Sequence, residues 1–405
     1  MFLTTFYSRL DTLVEKTIKI LMKEEKPLTF MPKSTLMNTN KNDLLVILPL
    51  IFLLGLGLIM VSSSSIYIAD DMKTDPFYFA ERQFIFVAIG LITLLFFLII
   101  PSELLYKTDW IFLLASILLL IALFIPEVGT SVKGSLRWIR IGPINIQPSE
   151  ICKFSLIIYI SGYSVRRMTE INSLRSFLKP LFLLFVISCL ILIQPDLGSV
   201  AIICLLVVGI LFYAGISFSQ LLLLILLISL VGYLGITSSA YRMARVIAFT
   251  DPFAIEVVRD AGWQLSNSLI SIGQGGWFGV GLGNSFQKSF FLPEAHTDFI
   301  FAILVEELGI IGGIILILIF VTLLVGLISI AFDAFKKGRH FQSYVVFGIF
   351  LLISIQVIFN IAVNIGLLPT KGLTLPFISY GGTSIIIMLS LIGIVLRINN
   401  ENKIL

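Results

Sequence analysis

From residue 44 onward the chain alternates long apolar runs with short polar interruptions. The runs centre on residues 44–60, 84–100, 110–124, 151–164, 181–193, 199–213, 221–234, 299–328, 344–367 and 377–396. Most approach the roughly 20 apolar residues that an α-helix needs to cross a bilayer. They are helix-length and nearly free of charge, unlike the alternating ten-residue segments of a transmembrane barrel. The pattern predicts an all-α fold, a polytopic integral membrane helical bundle of about ten transmembrane helices. The eighth run is overlong, and Gly309, Gly312 and Gly313 mark where it can bend or pack closely.

The first 42 residues differ. They carry Arg9, Lys16, Lys19, Lys23, Lys26, Lys33 and Lys41, while Leu3, Phe6, Leu10, Leu13, Val14, Ile18 and Leu21 recur at helical spacing until Pro27 and Pro32. That pattern reads either as an amphipathic helix on an anionic membrane surface or as a poorly ordered tail. It has no compact apolar core and no small-residue cleavage site, so it is not a secretory signal peptide. The expected organisation is a basic tail over 1–42, a membrane domain over 43–397 with one large loop at 235–297, between the seventh and eighth helices, and a short tail over 398–405.

Composition agrees: 58% of the 405 residues are hydrophobic and 13% charged, and mean hydropathy is +1.04, far from a soluble domain. Cys152, Cys189 and Cys204 all fall inside apolar runs without metal-ligand spacing and read as small core residues. The net charge of +4 does not imply nucleic acid; its placement matters more. With an even number of spans, the amino-terminal tail, Lys107, the Arg166-Arg167-Arg175-Lys179 loop, the Lys336-Lys337-Arg339 loop and the Arg397-Lys403 tail share one side. The positive-inside rule makes that side the cytoplasm, with both termini in it.

The outer loops then carry Lys133, Arg137, Arg140, Arg242, Arg245, Arg259, Lys288 and Lys371 against the topological trend. Such cations either bind an anion such as a phosphate or diphosphate, or pair with Glu127, Asp251, Asp260 and Glu294. Arg137 and Arg140 flank Trp138, which suits an interfacial anchor as well as a ligand contact. Pro148-Ser149-Glu150 opens a helix that Ser149 is placed to cap, with Glu150 in its first turn.

The densest polar stretch is GQGGWFGVGLGNSFQKSFFLPEAHTDFIFAILVEELG, residues 273–309. Its glycines match neither a Walker A loop nor a dinucleotide fingerprint. They suit close packing at the membrane edge or close approach to a ligand. Asp298 stands where a membrane helix begins, a common place for a cap. His296 and Glu294 precede it, and Glu306 and Glu307 follow two turns on, one of them on the Asp298 face. A partly desolvated carboxylate there is suited to general-base work. Asn360 and Asn364 lie one turn apart in the ninth run, and Pro369 and Pro376 bracket a rigid turn that projects Lys371.

Six motifs in order, RWIRIGPINIQPSEICK, QPDLGS, YRMARVIAFTDP, GWQLSNSLISIGQGGWFGVGLGNSFQK, LPEAHTDFIFAILVEELG and NIGLLPTKGLTLPFISYGGTS, span nearly the whole membrane region. Through them the chain resembles the SEDS family (shape, elongation, division and sporulation) of bacterial peptidoglycan polymerases. PEAHTDF and LLPTKGLTLPFISYGG lie nearer its division and sporulation branches than its elongation branch. The first 42 residues are not covered.

The resemblance implies a glycosyltransferase that polymerises lipid II at the outer face of the bacterial cytoplasmic membrane, at the division septum. The family's essential aspartate falls on Asp298, as base. Arg137, Lys288 and Lys371, with Arg242, are the expected diphosphate and leaving-group contacts. Trp138, Glu150, Lys153, His296, Glu306 and Asn364 complete the expected substrate site. No cofactor is expected for certain; a divalent cation, Mg or Mn, would suit the diphosphate, although no clear ligand set is visible. The implied partner is a single-pass class B penicillin-binding protein, a transpeptidase, alongside other divisome membrane proteins. Two rival readings are a lipid II flippase, which would need charge along a path through the membrane and repeated halves, and a noncatalytic divisome scaffold.

Overall fold

The structure, a computed structural model, describes residues 41–132, 135–142, 144–289 and 291–404. The amphipathic segment expected over 1–42 lies outside them except for its last two residues, and so does Lys133. Thirteen helices are described: α1 (Lys41–Asp71), α2 (Tyr78–Ile99), α3 (Ser102–Lys107), α4 (Asp109–Ala122), α5 (Pro148–Arg166), α6 (Leu174–Ile193), α7 (Leu197–Tyr213), α8 (Phe218–Thr237), α9 (Ala240–Thr250), α10 (Trp263–Gly275), α11 (Ile300–Lys336), α12 (His340–Asn364) and α13 (Gly382–Ile404). Each predicted run coincides with one of them. Seven are long and apolar enough to cross a membrane, and α4 and α7 are shorter apolar helices. The protein is a polytopic, membrane-spanning helical bundle.

Glycines set its closest contacts, because association in lipid relies on packing rather than on water exclusion. α2 and α13 touch at Gly90, against the Leu389 side chain, and at Gly393, where a Cβ would stand 2.4 Å from Leu94 O. Gly57 of α1 lies under the backbone of Phe377, whose carbonyl is 2.5 Å from where its Cβ would be. At the opposite end α1 and α13 meet again: Asn399 Nδ2 donates to Asp43 Oδ1 at 2.6 Å, and Lys403 pairs with the same carboxylate. The described start of α1 and end of α13 therefore share one side of the bundle, and residues 398–404 are the last turns of α13 rather than a separate tail. α8 buries only Leu224, so its apolar surface faces outward along nearly its whole length.

Three features depart from the expected pattern. First, β1 (Gly129–Val132), β2 (Ser135–Ile141) and β3 (Ile144–Ile146) form an antiparallel sheet in the order β1-β2-β3. Arg137 and the buried Ile139 share one face of β2, and Trp138, opposite Thr130, lies on the other. Second, the loop 235–297 contains α9 and α10. Third, α11 is two helices. Gly309 has φ 76° and ψ 177°, outside helical geometry. Phe301 and Val305 of the first part reach Gly313 of the second, with Phe301 Cζ 3.6 Å from a Cβ built there. In a straight helix residues 301 and 313 would be about 18 Å apart along the axis, so the first part folds across the second. The second part alone, residues 310–336, runs on the order of 40 Å, enough for a hydrocarbon core of about 30 Å.

That break leaves backbone groups of 306–311 without helical partners, and the glycine stretch supplies them. Val280 N donates to Glu306 O at 2.9 Å and Gly281 N to Glu307 O at 3.0 Å, while Ile310 N and Ile311 N donate to Gly276 O and Trp277 O at 2.9 and 3.3 Å. Gly279 and Gly309 meet backbone to backbone, a Cβ on Gly279 falling 2.2 Å from Glu307 O. The glycines here serve close packing.

Candidate functional site

Asp298 sits half-buried one residue before the cap of α11: Phe299 occupies the cap position and makes no side-chain capping bond. The turn that carries it is stitched to the end of α12 and to the 367–381 segment. Asn360 Nδ2 and Asn364 Nδ2 donate to Asp298 O at 2.9 and 3.1 Å. Ser379 Oγ donates to Thr297 O, and Tyr380 N to His296 O. Asn364, fully buried, thus holds backbone. His296 is buried with its ring against Phe79 and Tyr380, centroids 4.8 and 5.7 Å away.

The 369–376 turn brings Lys371 to the same place. Gly372 abuts the aspartate: a Cβ there would lie 2.9 Å from Asp298 Oδ2. The Lys371 stem crosses the start of α7, with Cε 2.8 Å from a Cβ built on Gly198. The ammonium feels Asp196 on one hand and Arg137, Arg242 and Arg245 on the other. Burial, reinforced by the three guanidinium groups and opposed by Asp196, pushes its pKa from the ordinary 10.5 down to about 8.

Each arginine is fixed by backbone carbonyls. Arg137 donates through Nε to Gln194 O at 3.4 Å and through Nη2 to Pro195 O at 2.6 Å, with Nη1 3.9 Å from Asp196 Oδ1. Asp196 in turn caps α7, accepting from Ser199 N and Ser199 Oγ at 3.3 and 2.6 Å. Arg242 donates to Gly235 O; Arg245 donates to Thr370 O at 3.1 Å and lies 4.7 Å over the Tyr241 ring. Around them Gln194 Nε2 and Thr370 Oγ1 are buried and bond nothing among the described residues.

Glu150 and Lys153 form a buried ion pair in the first turns of α5, Nζ to Oε1 2.6 Å, and Glu150 Oε2 has no hydrogen-bond partner among the described residues. Glu150 lies in the first turn as expected, but the cap is Gln147 with Pro148 next, so Ser149 is inside the helix and does not cap it. Trp138 faces away from Arg137, as the strand register requires.

Lys288 and Glu306 bond to partners within the 276–288 loop and the helices around it. Lys288 is 2% exposed, and its Nζ donates to Glu307 Oε1 at 2.8 Å, Ser63 Oγ at 2.9 Å and Gly283 O at 2.7 Å. All three ammonium protons are used internally, which leaves none for a phosphate. Glu306 accepts from Ser271 Oγ and Ser285 Oγ, both at 2.6 Å, and from Phe286 N and Gln287 N at 2.8 and 3.3 Å. Both glutamates are 1% exposed, so neither is left on an open face beside Asp298. Together they pin the 276–288 loop to the break in α11. Sequence reasoning placed Lys288 with the anion-binding cations because its partners are 19 and 225 residues away.

Sequence reasoning left three contributors out of the expected substrate site. Arg245 it had singled out only as a misplaced outer cation. Asn360 it noted only as lying one turn from Asn364. Asp196 was visible only as part of QPDLGS. For a metal, the described residues contain no group of three or more His, Cys, Asp or Glu side chains able to hold an ion. Asp196, one carboxylate among four cations, is a poor donor set.

Residues 43–404 match the profile of the cell cycle proteins FtsW, RodA and SpoVE. The chain belongs to the FtsW/RodA/SpoVE family. Curated relatives agree over most of their length. A probable peptidoglycan glycosyltransferase FtsW of Legionella pneumophila is 42% identical over 352 residues, 87% of this chain and 89% of that one. The protein of the same description from Saccharophagus degradans is 44% identical, covering 86% and 90%. Among solved structures, a chain from a study of how a peptidoglycan synthase complex coordinates polymerisation and crosslinking aligns with a TM-score of 0.70 at 26% identity, covering 87% of this chain and 97% of that one. The rod shape determining protein RodA of Thermus thermophilus aligns at 0.64 and 24% identity, covering 88% and 96%, and shares the fold. The FtsW/RodA/SpoVE match spans all thirteen described helices apart from the first two residues of α1.

Proposed function

We propose that the protein is a peptidoglycan glycosyltransferase that polymerises lipid II at the outer face of the bacterial cytoplasmic membrane during septal wall synthesis. The observation that carries this is the meeting of Asp298 with the Lys371 turn: a half-buried carboxylate against Gly372, next to a lysine set among three arginines. A base beside an anion-binding cluster is what transfer from a lipid diphosphate requires. The names of the curated relatives point the same way.

In the reaction, Asp298 accepts the proton of the acceptor N-acetylglucosamine 4-hydroxyl. That oxygen attacks C1 of the N-acetylmuramic acid at the lipid-linked end of the growing strand. The bond from C1 to the diphosphate oxygen breaks with its electron pair, the α configuration becomes β, and undecaprenyl diphosphate leaves. Lys371, with Arg137 and Arg242 behind it, offsets the charge that develops on the leaving group. Arg245 holds the Lys371 turn through Thr370, and the unbonded Gln194 Nε2 and Thr370 Oγ1 are groups that a polar substrate or water would satisfy. The Glu150–Lys153 pair, with a Glu150 oxygen unbonded among the described residues, is assigned to the polar edge of the substrate site, and Trp138 and His296 to its surroundings. Lys288 and Glu306 are assigned to holding the loop. The cation-rich end faces out, and the Asp43–Lys403 end faces the cytoplasm, in keeping with the distribution of basic residues. The partner is a class B penicillin-binding transpeptidase at the septum, together with other divisome proteins, which the likeness to a chain from a peptidoglycan synthase complex supports.

The test is polymerisation of purified lipid II by the protein with and without its transpeptidase, followed on gels. The expected product is a ladder cut by a β-1,4-specific muramidase and absent with Asp298→Asn. No polymer from the partnered native protein would favour flipping or scaffolding instead.

A further inference from the structure

Three consecutive backbone carbonyls lead into α11, those of His296, Thr297 and Asp298. Each accepts from a later part of the chain: Tyr380 N at 2.9 Å, Ser379 Oγ at 2.5 Å and Asn360 Nδ2 at 2.9 Å. Asp298 precedes the Phe299 cap, so its carbonyl lies outside the helical ladder, and the Ala302 amide in the first turn has no α-helical acceptor. That amide donates to Asn364 Oδ1 at 3.1 Å and to Phe299 O at 3.1 Å, while the Asp298 carbonyl takes its donors from α12.

Asn360 does more than serve that carbonyl. Its Nδ2 also donates to Leu373 O at 2.6 Å, two residues after Lys371. An amide nitrogen has two protons, and this one spends both on irregular backbone at the two sides of the site. Asn360 is 1% exposed, so neither bond competes with bulk water. Asparagines that merely join helices bond to a neighbouring helix; this one bridges two non-helical segments, one bearing Asp298 and the other bearing Lys371. Between those segments the gap is only a hydrogen atom wide at Gly372, where a methyl would stand 2.9 Å from Asp298 Oδ2.

We propose that Asn360 is a positioning residue that sets the separation between the Asp298 carboxylate and the Lys371 ammonium. The base and the leaving-group cation then meet the two ends of the reacting centre at once. This rests on the reading of Asp298 as base and Lys371 as cation given above.

Asn360→Leu keeps the branched heavy-atom skeleton and removes both donors. The expected result is a fall in kcat of about 100-fold, the scale of a displacement near 1 Å, with KM for lipid II changed less than about threefold, since Asn360 itself touches no substrate. A lowered Tm with kcat per folded molecule unchanged would reduce Asn360 to helix glue and overturn the proposal. Should Asn360→Leu fail to fold, Gly372→Ala perturbs the same gap at an exposed position; it is expected to lower kcat at least about tenfold, again on the scale of a small displacement, and an unchanged kcat contradicts the proposal. A second readout is independent of activity. In a protein carrying Asp298→Cys, Gly372→Cys and Cys189→Ala, mild oxidation should form a disulfide, and adding Asn360→Leu should slow its formation about tenfold as the two backbone segments move apart. An unchanged crosslinking rate overturns the tether, whereas an Asp298→Asn protein that still polymerises sinks only the base reading.

Discussion

Lys371 is the side chain whose environment makes the sharpest demand on solution conditions. Its pKa of about 8 puts its charge within reach of ordinary buffers. It is a cation below that value and loses its proton as pH rises through it, so turnover limited by leaving-group stabilisation should fall as pH rises above about 8. Lys371→Arg stays charged throughout and should remove that alkaline limb even if its absolute rate is lower. A pH–rate profile with the same limb in both proteins would contradict this. The effect on stability has the opposite sign. Between about 8 and 10.5 the unfolded chain holds more protons than the folded one, so stability rises with pH across that window; the buried charge costs stability below it.

Lys288 makes the opposite point at the same scale. A lysine in a glycine-rich outer stretch reads as an anion contact, yet its three protons go to Glu307, Ser63 and Gly283. Lys288→Met strands a buried Glu307 carboxylate and should cost about 3–5 kcal/mol of stability, seen as a large drop in Tm. Pairing it with Glu307→Gln should recover much of that loss, because the two effects are not additive. Additive losses, or a changed KM in a protein with native Tm, would return Lys288 to the substrate site.

At the scale of elements, long apolar segments were legible because a helix crossing lipid must satisfy its backbone internally and present apolar side chains for its whole length. The sheet was not: strands of 4, 7 and 3 residues leave too short a pattern beside helices of twenty and more. The two helices inside 235–297 were missed for a related reason. α9 mixes Arg242 and Arg245 with apolar residues, and α10 carries Ser266, Asn267, Ser268 and Ser271 buried between neighbours. The glycines at 276–283 were visible, but their pairing with a broken helix thirty residues on was not. Gly309 is where that arrangement can be tested. A Cβ there meets Trp277 O at 2.3 Å, and its φ is 76°. Gly309→Ala should cost at least about 1–3 kcal/mol and loosen the 276–288 loop, which limited proteolysis and thermal melts would register. A substitution that left both unchanged would contradict the backbone pairing described.

For the molecule as a whole, the candidate site combines residues from β2, the α6–α7 turn, α9, the α10–α11 loop, α12 and the 369–376 turn. Asp298, Arg137, Arg242 and Lys371 were readable singly, from carboxylate and cation placement and from family resemblance. Their convergence was not, since the segments bearing Asp298 and Lys371 are joined through Asn360, 62 residues on from Asp298 in the chain. The bundle brings these groups to the end opposite the Asp43–Lys403 contact. Everything proposed for this end of the bundle turns on Asp298 being the base of an inverting glycosyl transfer. The most direct measurement is kcat for lipid II consumption by Asp298→Asn against the native protein, both folded and in the same detergent with the transpeptidase present. With Asp298 as base, kcat should fall by about 10²–10⁴ with KM little changed; activity retained within about tenfold, below that range, would rule that role out.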